Sequence, residues 1–247
     1  MTSSNGKKHR FISFLFVFLI AALLGTALYY INEVRIARRD TQAIFDSALV
    51  LYGAKVRPSD LSPERKKVLL DVEDPKFYTH HGVDLETPGA GMTTLTQGLV
   101  KLLYFPDGFR PGIAKFRQTL IAHYALDALI SKDDQLLLFL NMCYFGHENG
   151  RAIHGFADAA ETYYGEEFST LTDDEFLSLV AMIIGPNTYK PGAPAHAKRV
   201  ERIRAYLSGQ YRPAAVLDTD YDGTQRGSLP DELCMAILRL LTDAKPE

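Results

Sequence analysis

Cysteine is nearly absent: the 247 residues hold two, Cys143 and Cys234. Two thiols cannot build a disulfide framework, so the fold must rest on an apolar core. Both lie in apolar helical contexts, Asn141-Met142-Cys143-Tyr144 and Leu233-Cys234-Met235. They read as small buried hydrophobes, with a bridge between them as the alternative. Charge of one sign is also lacking. A formal balance of −3 offers no basic face to a phosphate backbone and argues against nucleic acid as a partner. Repeats and low-complexity tracts are missing, and strand signals are weak throughout. What is there is 47% hydrophobic residues, enough for a real core, at a length that suits one domain or at most two small ones.

The clearest single feature is the uncharged run from Phe11 to Ile31. As a helix it extends roughly 30 Å, the thickness of a bilayer core. Tyr29 and Tyr30 stand at one end, where aromatic rings favour the interface. Lys7, Lys8 and Arg10 precede the run and Arg35, Arg38 and Arg39 follow it, so charge alone does not fix the orientation. A short basic head usually stays inside the cell, which puts the rest outside. The competing reading is a cleaved signal peptide, with Gly25-Thr26-Ala27 as the small-residue site. The expected organisation is a basic head (1–10), a transmembrane helix (11–31), a juxtamembrane segment (32–60), a main domain (61–208), and a polar linker with a C-terminal helix (209–247).

Helix signals dominate after residue 60. Ser62-Pro63-Glu64 supplies an N-cap and a proline at the first helical position; Val68, Leu69, Leu70 and Val72 follow, and Pro75 stops the helix. The pattern predicts helices over Ile113–Ile130, from Ser131 through Leu140, over Arg151–Tyr164 with Gly165 as the stop, and from the capping box Thr172-Asp173-Asp174-Glu175 to Gly185-Pro186. Two more cover Ala195–Ser208 and Asp231–Thr242. The fold class is therefore mostly α. Within the linker, Asp218, Asp220 and Asp222 alternate before Gly223, as in the first half of a calcium loop. Leu229 stands where the bidentate glutamate belongs, and a solvated acidic turn is the plainer reading.

Four segments can carry chemistry. The first is Glu73-Asp74-Pro75-Lys76-Phe77-Tyr78-Thr79-His80-His81-Gly82. Its two carboxylates fall at a helix C-terminus, where backbone carbonyls create negative potential. That potential should raise a carboxyl pKa and make a better general base near neutral pH. The second is Gly91-Met92-Thr93-Thr94-Leu95-Thr96-Gln97-Gly98, whose hydroxyls and amide can donate to sugar or phosphate oxygens or simply cap a helix. The third is the basic set Lys101, Arg110, Lys115 and Arg117. The fourth runs from Ser131 to Gly146.

In this order the segments resemble the glycosyltransferase domain of penicillin-binding proteins and monofunctional peptidoglycan transglycosylases, family 51. The family's E-D-x-x-F-x-x-H-x-G is matched by Glu73, Asp74, Phe77, His80 and Gly82. Its G-x-S-T-I-T-Q-Q-L-V-K is matched at Thr94, Thr96, Gln97, Leu99, Val100 and Lys101. Its S-K-x-x-I-L-E-x-Y-L-N-x-x-Y-F-G is echoed by Ser131, Lys132, Leu136, Leu140, Asn141, Tyr144, Phe145 and Gly146. The likeness runs from about Leu61 to Leu207.

The resemblance implies a lysozyme-like, mostly helical domain beside a bacterial plasma membrane, on its outer (periplasmic) side, with lipid II as substrate. It implies Glu73 as the base on the acceptor 4-hydroxyl, with Asp74 beside it as a catalytic residue. His80, Thr94, Thr96, Gln97, Lys101, Arg110, Lys115 and Arg117 become substrate-binding candidates, and cell-wall synthesis proteins become candidate partners. The run Leu99–Phe105 with Phe109 would admit the lipid, or else belong to the core. A divalent cation, Mg or Mn, can belong to such a site, although no metal site is read from the residues themselves.

Departures are specific. The glutamate of the family's R-K-x-x-E aligns with Thr119, in a segment where Lys115 and Phe116 stand for the basic pair. The glutamate after I-L is Leu137, the last glutamine of the second motif is Gly98, and only Val83–Ala90 separates the first two motifs. Thr119, His123 and Asp127 are spaced four apart, so His123 or Asp127 could share a helix face with Thr119 and replace the lost charge. These departures give the alternative: a non-catalytic member that binds lipid II or a cell-wall partner. A lytic muramidase follows from fold analogy alone. No room for a transpeptidase domain remains after Glu247, so peptide crosslinking is not expected.

Overall fold

The computed structural model describes residues 3–110, 112–224 and 229–242. Positions 1–2 of the basic head, 225–228 of the expected linker and 243–247 of the tail lie outside the described residues. The fold is mostly helical, as the pattern predicts.

The first helix, α1 (Ser3–Tyr52), is unbroken. No proline or glycine falls between Gly25 and Gly53 to interrupt it. Gly53, at φ 73°, ends it by donating its N–H to the Leu49 carbonyl. The N-terminal part is long and apolar enough to cross a membrane and is exposed. The expected juxtamembrane segment is instead mostly the continuation of this helix. Ala37, Thr41, Phe45 and Ala48 are buried, and their spacing makes one stripe facing the domain. The Thr41 and Tyr104 hydroxyls hydrogen-bond at 2.8 Å, and Glu33 pairs with Arg117 at 2.5 Å.

Helix α2 (Pro63–Glu73) begins at Ser62, whose hydroxyl accepts from the Arg65 N–H. Helix α3 (Leu95–Leu103) opens on a capping box between Thr94 and Gln97. The predicted helix Ile113–Ile130 is α4 (Ile113–Ile121), a π-helical turn over Ala122–Leu126, and the single turn α5 (Asp127–Leu129). Helix α6 (Lys132–Met142) is capped by Ser131. Two strands, β1 (Tyr144–Glu148) and β2 (Arg151–His154), pair antiparallel with Glu148 opposite Arg151.

That hairpin corrects the helix expected from Arg151. Asn149 and Gly150 take φ of 51° and 77°, the backbone of a tight Asn-Gly hairpin turn. Helix α7 (Phe156–Tyr164) starts only after Gly155 and stops at Gly165, at φ 70°. Helices α8 (Asp173–Met182), α9 (Pro194–Leu207) and α10 (Leu229–Thr242) complete the set.

The core gathers Leu69, Phe77, Leu99, Ile121, Leu136, Phe145, Phe156 and Phe176 from helices far apart in sequence. Leu99, Val100 and Tyr104 of the proposed lipid-admitting run are core residues, whereas Leu102 is exposed. Cys143 is buried and Cys234 half-buried, and no disulfide joins them.

The segment read as a polar linker is packed against the domain up to residue 224. Asp218, Asp220 and Tyr221 are buried there. The three alternating aspartates face separate protein donors rather than one centre. Asp218 accepts from the Asp222 and Gly223 N–H groups and the Tyr211 hydroxyl. Asp220 pairs with Arg199 at 3.2 Å and Asp222 with Arg202 at 3.1 Å. The acidic turn is thus a structural knot and not a half-built calcium loop.

Candidate active site

Helix α2 ends where the first motif begins. The Asp74 N–H closes the helix on the Leu70 carbonyl at 2.8 Å. The next two carbonyls, of Asp71 and Val72, accept from the hydroxyls of Tyr206 and Tyr221 at 3.2 and 3.3 Å. A helix end with its orphan carbonyls satisfied this way is fixed in direction, and with it the two carboxylates that follow.

Those carboxylates diverge. Asp74 is buried, with one oxygen on His80 Nε2 at 2.8 Å and the other accepting the Leu95 N–H at 2.9 Å. It therefore ties the first motif to the first turn of α3, where a carboxylate is favoured by the helix dipole. His80 is buried beneath it, its ring 6.4 Å from that of Phe77. Gly82, at φ 77°, lies so close to the π turn that a Cβ would come 2.7 Å from the Ala122 carbonyl oxygen. Only glycine fits.

Glu73 is half-buried. Burial pushes its pKa up to about 7; Arg199 pulls it down and Asp74 pushes it further up. The direction expected from the sequence is right, but its main cause is loss of water and not the helix terminus. A carboxyl so placed exists in both protonation states at neutral pH and can exchange a proton with a bound hydroxyl.

The second motif is woven inward. The Thr94 hydroxyl donates to the Gly82 carbonyl at 2.7 Å and accepts the Gln97 N–H at 3.1 Å. The Gln97 side chain returns to the Thr94 N–H and donates to Thr119 Oγ1 at 2.8 Å. Thr119, wholly buried, donates its hydroxyl to the Lys115 carbonyl at 2.8 Å. Thr96 donates to Gln135, which donates to Asp127 at 3.1 Å. Thr94, Thr96, Gln97 and His80 are buried links between the first two motifs, α4 and α6.

The π turn adds a residue to the helix, closing it with the Asp127 N–H on the Ala122 carbonyl, so Asp127 leaves the line of Thr119. Asp127 is neutralised by Lys132 at 2.6 Å, and His123 Nδ1 meets the His81 carbonyl at 2.7 Å. Around Thr119 the polar neighbours are an amide and a backbone carbonyl, which offer a divalent cation no anionic ligand. The residues present do not fit Mg or Mn at this position.

The four basic candidates separate into two kinds. Lys115 is spent on the Met92 carbonyl and the Thr93 hydroxyl at 2.7 and 3.0 Å, and burial lowers its pKa to about 8. Arg117 pairs with Glu33 of α1 and lies 4.9 Å from the Phe105 ring centre. Lys101 and Arg110 are exposed, with the Lys101 ammonium 5.6 Å from the Phe109 ring centre. These two are the cations best placed to meet an anionic ligand in solution or at a membrane surface.

Sequence reasoning missed the groups that surround Glu73. Arg199 is buried between the rings of Tyr189 and Tyr221, at 5.5 and 5.9 Å. Cys143 is buried close enough for the Glu73 charge to act on its thiol. A lone arginine in a basic helix and a cysteine beside tyrosine carry no spacing signal; only the fold brings them together. Asn141 also has a plain structural use, accepting from the Val56 N–H at 3.0 Å and donating to the Val56 carbonyl at 2.7 Å.

Residues 51–211 match the transglycosylase family model. The chain belongs to the transglycosylase family. Penicillin-binding protein 1F of Bacillus subtilis (strain 168) is 29% identical over 213 residues, covering 75% of the chain and 29% of that relative. Penicillin-binding protein 1A of Streptococcus pneumoniae (strain ATCC BAA-255 / R6) is 24% identical over 254 residues, covering 88% of the chain and 35% of the relative. Penicillin-binding protein 1B of Vibrio cholerae serotype O1 (strain ATCC 39315 / El Tor Inaba N16961) is 34% identical over 147 residues, 54% of the chain and 19% of the relative. The chain thus spans about a third or less of the length of these relatives. As a transglycosylase domain it keeps the first motif complete, and of that motif's two carboxylates Glu73 is the one on which the Arg199 charge acts.

Proposed function

We propose that this transglycosylase is a membrane-anchored peptidoglycan glycosyltransferase that polymerises lipid II, with its domain on the outer face of the bacterial plasma membrane. The observation that carries it is Glu73: a half-buried carboxyl of pKa about 7 at the head of an intact family motif. Its ionised form takes the proton from the acceptor sugar's 4-hydroxyl. The oxygen attacks the anomeric carbon of the donor, and undecaprenyl pyrophosphate departs. Lys101 and Arg110 offset the charge that develops on the leaving group. Asp74 positions the loop that carries the motif, and His80, Thr94, Thr96 and Gln97 hold α3 in place. Support for the substrate class comes from the family and its penicillin-binding relatives.

The test is polymerisation of labelled lipid II by the intact protein in detergent or liposomes. Glycan product is expected from the wild type, with a loss of at least about a hundredfold in Glu73→Gln, the scale of a removed general base. Equal product from both removes Glu73 from the mechanism. A second reading rests on Thr119, buried where the family pattern has a glutamate: a member that binds lipid II without turning it over. It predicts binding by wild type and Glu73→Gln alike, with product from neither.

A further inference from the structure

The segment from Arg212 to Thr224 lies past the family match, which ends at residue 211. It nevertheless closes over the end of α2. Gly89 and Gly91 donate their N–H groups to the Ala215 and Val216 carbonyls at 2.9 and 2.8 Å. A Cβ on Gly89 would lie 2.6 Å from Pro213 Cγ, so the two backbones are in close contact. Tyr221 takes φ 53°, a left-handed conformation unusual for a tyrosine. It is held there by its stack on Tyr206, centroids 4.4 Å apart and planes 11° from parallel. Its hydroxyl reaches the Val72 carbonyl, one residue before Glu73.

One residue earlier, Asp220 pairs with Arg199 at 3.2 Å. Arg199 also donates to the Ala181 and Thr219 carbonyls, each at 3.0 Å, and both charged side chains are buried. The groups coupled to Glu73 come from several elements: Asp74 from its own helix end, Arg199 from α9, Cys143 from the turn after α6, and Tyr221 from this segment. Arg199 is the cation among them, and Tyr189 and Asp220 face Arg199 in turn.

Resting on Glu73 as the base, the geometry points to residues 212–224 as a positioning element for the transferase site: Asp220, through Arg199, sets the charge that Glu73 meets, and Tyr221 fixes the helix end that carries it. With Asp220 ionised, the guanidinium charge is largely answered before it reaches Glu73. Without it, the Arg199 charge acts on Glu73 uncompensated by its ion-pair partner, and an uncompensated cation favours the carboxylate.

The experiment is a direct titration of the Glu73 carboxyl in the full chain in detergent micelles, by carbon-13 NMR or infrared difference, assigned with Glu73→Gln. Asp220→Asn is expected to lower the Glu73 midpoint by about one pH unit, while Asp220→Glu keeps the wild-type midpoint. Arg199→Met combined with Asp220→Asn, which removes both buried charges and so leaves neither unpaired, is expected to raise it. Unmoved midpoints in the folded variants overturn the proposal. Titration needs no turnover, so this outcome is separate from the lipid II assay: retained polymerisation in Glu73→Gln would refute Glu73 as base while leaving the charge relay to be judged by its midpoints.

Discussion

Glu73 sits at a cost to the fold. Its carboxyl titrates at about 7 in place of 4.5, so the folded state holds a proton that the unfolded chain has released. The sign follows: stability is full below the unfolded value, falls as pH rises from about 4.5 through 7, and is lower by a constant amount above that. Glu73→Gln should therefore stabilise the protein at pH 8, by roughly 1–3 kcal/mol, and leave it unchanged at pH 4; thermal melts at the two pH values measure this. Gly82 gives a second residue-scale test. Its alanine variant combines a left-handed backbone with a collision against the Ala122 carbonyl. A loss of about 2–4 kcal/mol is expected in denaturant unfolding, and a neutral result would mean that the π turn can yield.

At the scale of elements, the buried polar chain from Thr94 through Gln97 to Thr119 locks α3 against α4. Thr94→Val removes the cap and the bond to the Gly82 carbonyl, and should cost about 1–2 kcal/mol and lower the melting temperature. The capping residues Ser62, Ser131 and Thr172 are legible in the sequence, because a helix start is a local event decided by one side chain and three following N–H groups, whereas the segment of Thr94 reads equally as a cap or a ligand loop. The hairpin is not among the expectations: Asn149-Gly150 is a turn signal that the helical reading from Arg151 passes over. Less accessible was the fate of 209–224, whose polar composition reads as solvated. Asp218 and Asp220 are buried and Asp222 half-buried, because Arg199 and Arg202 supply donors from α9 and Tyr211 supplies one from within the segment. Likewise Glu73, Asp74 and the motif around them could be read directly, whereas Arg199, Cys143 and Tyr221 join the site only through tertiary packing.

Over the whole molecule, α1 is both the apolar span and a piece of the domain. Ala37, Phe45 and Ala48 of its stripe belong to the core and Thr41 is buried, so one unbroken helix joins the apolar span to the domain. A chain starting at Asn32 keeps that stripe and should fold. One starting at Gly53 loses it, including a phenylalanine whose burial stabilises by about 1.5–3 kcal/mol, and should melt lower or aggregate; circular dichroism melts of the two truncations decide the matter. Under the proposed function Glu73 is a base tuned to neutral pH, and the pH dependence of kcat/KM for lipid II polymerisation tests that most directly. An acid limb near pH 7, absent with the residual activity of Glu73→Gln, is the predicted result. A limb at the ordinary carboxylate range near pH 4 to 5, or none at all, would contradict it.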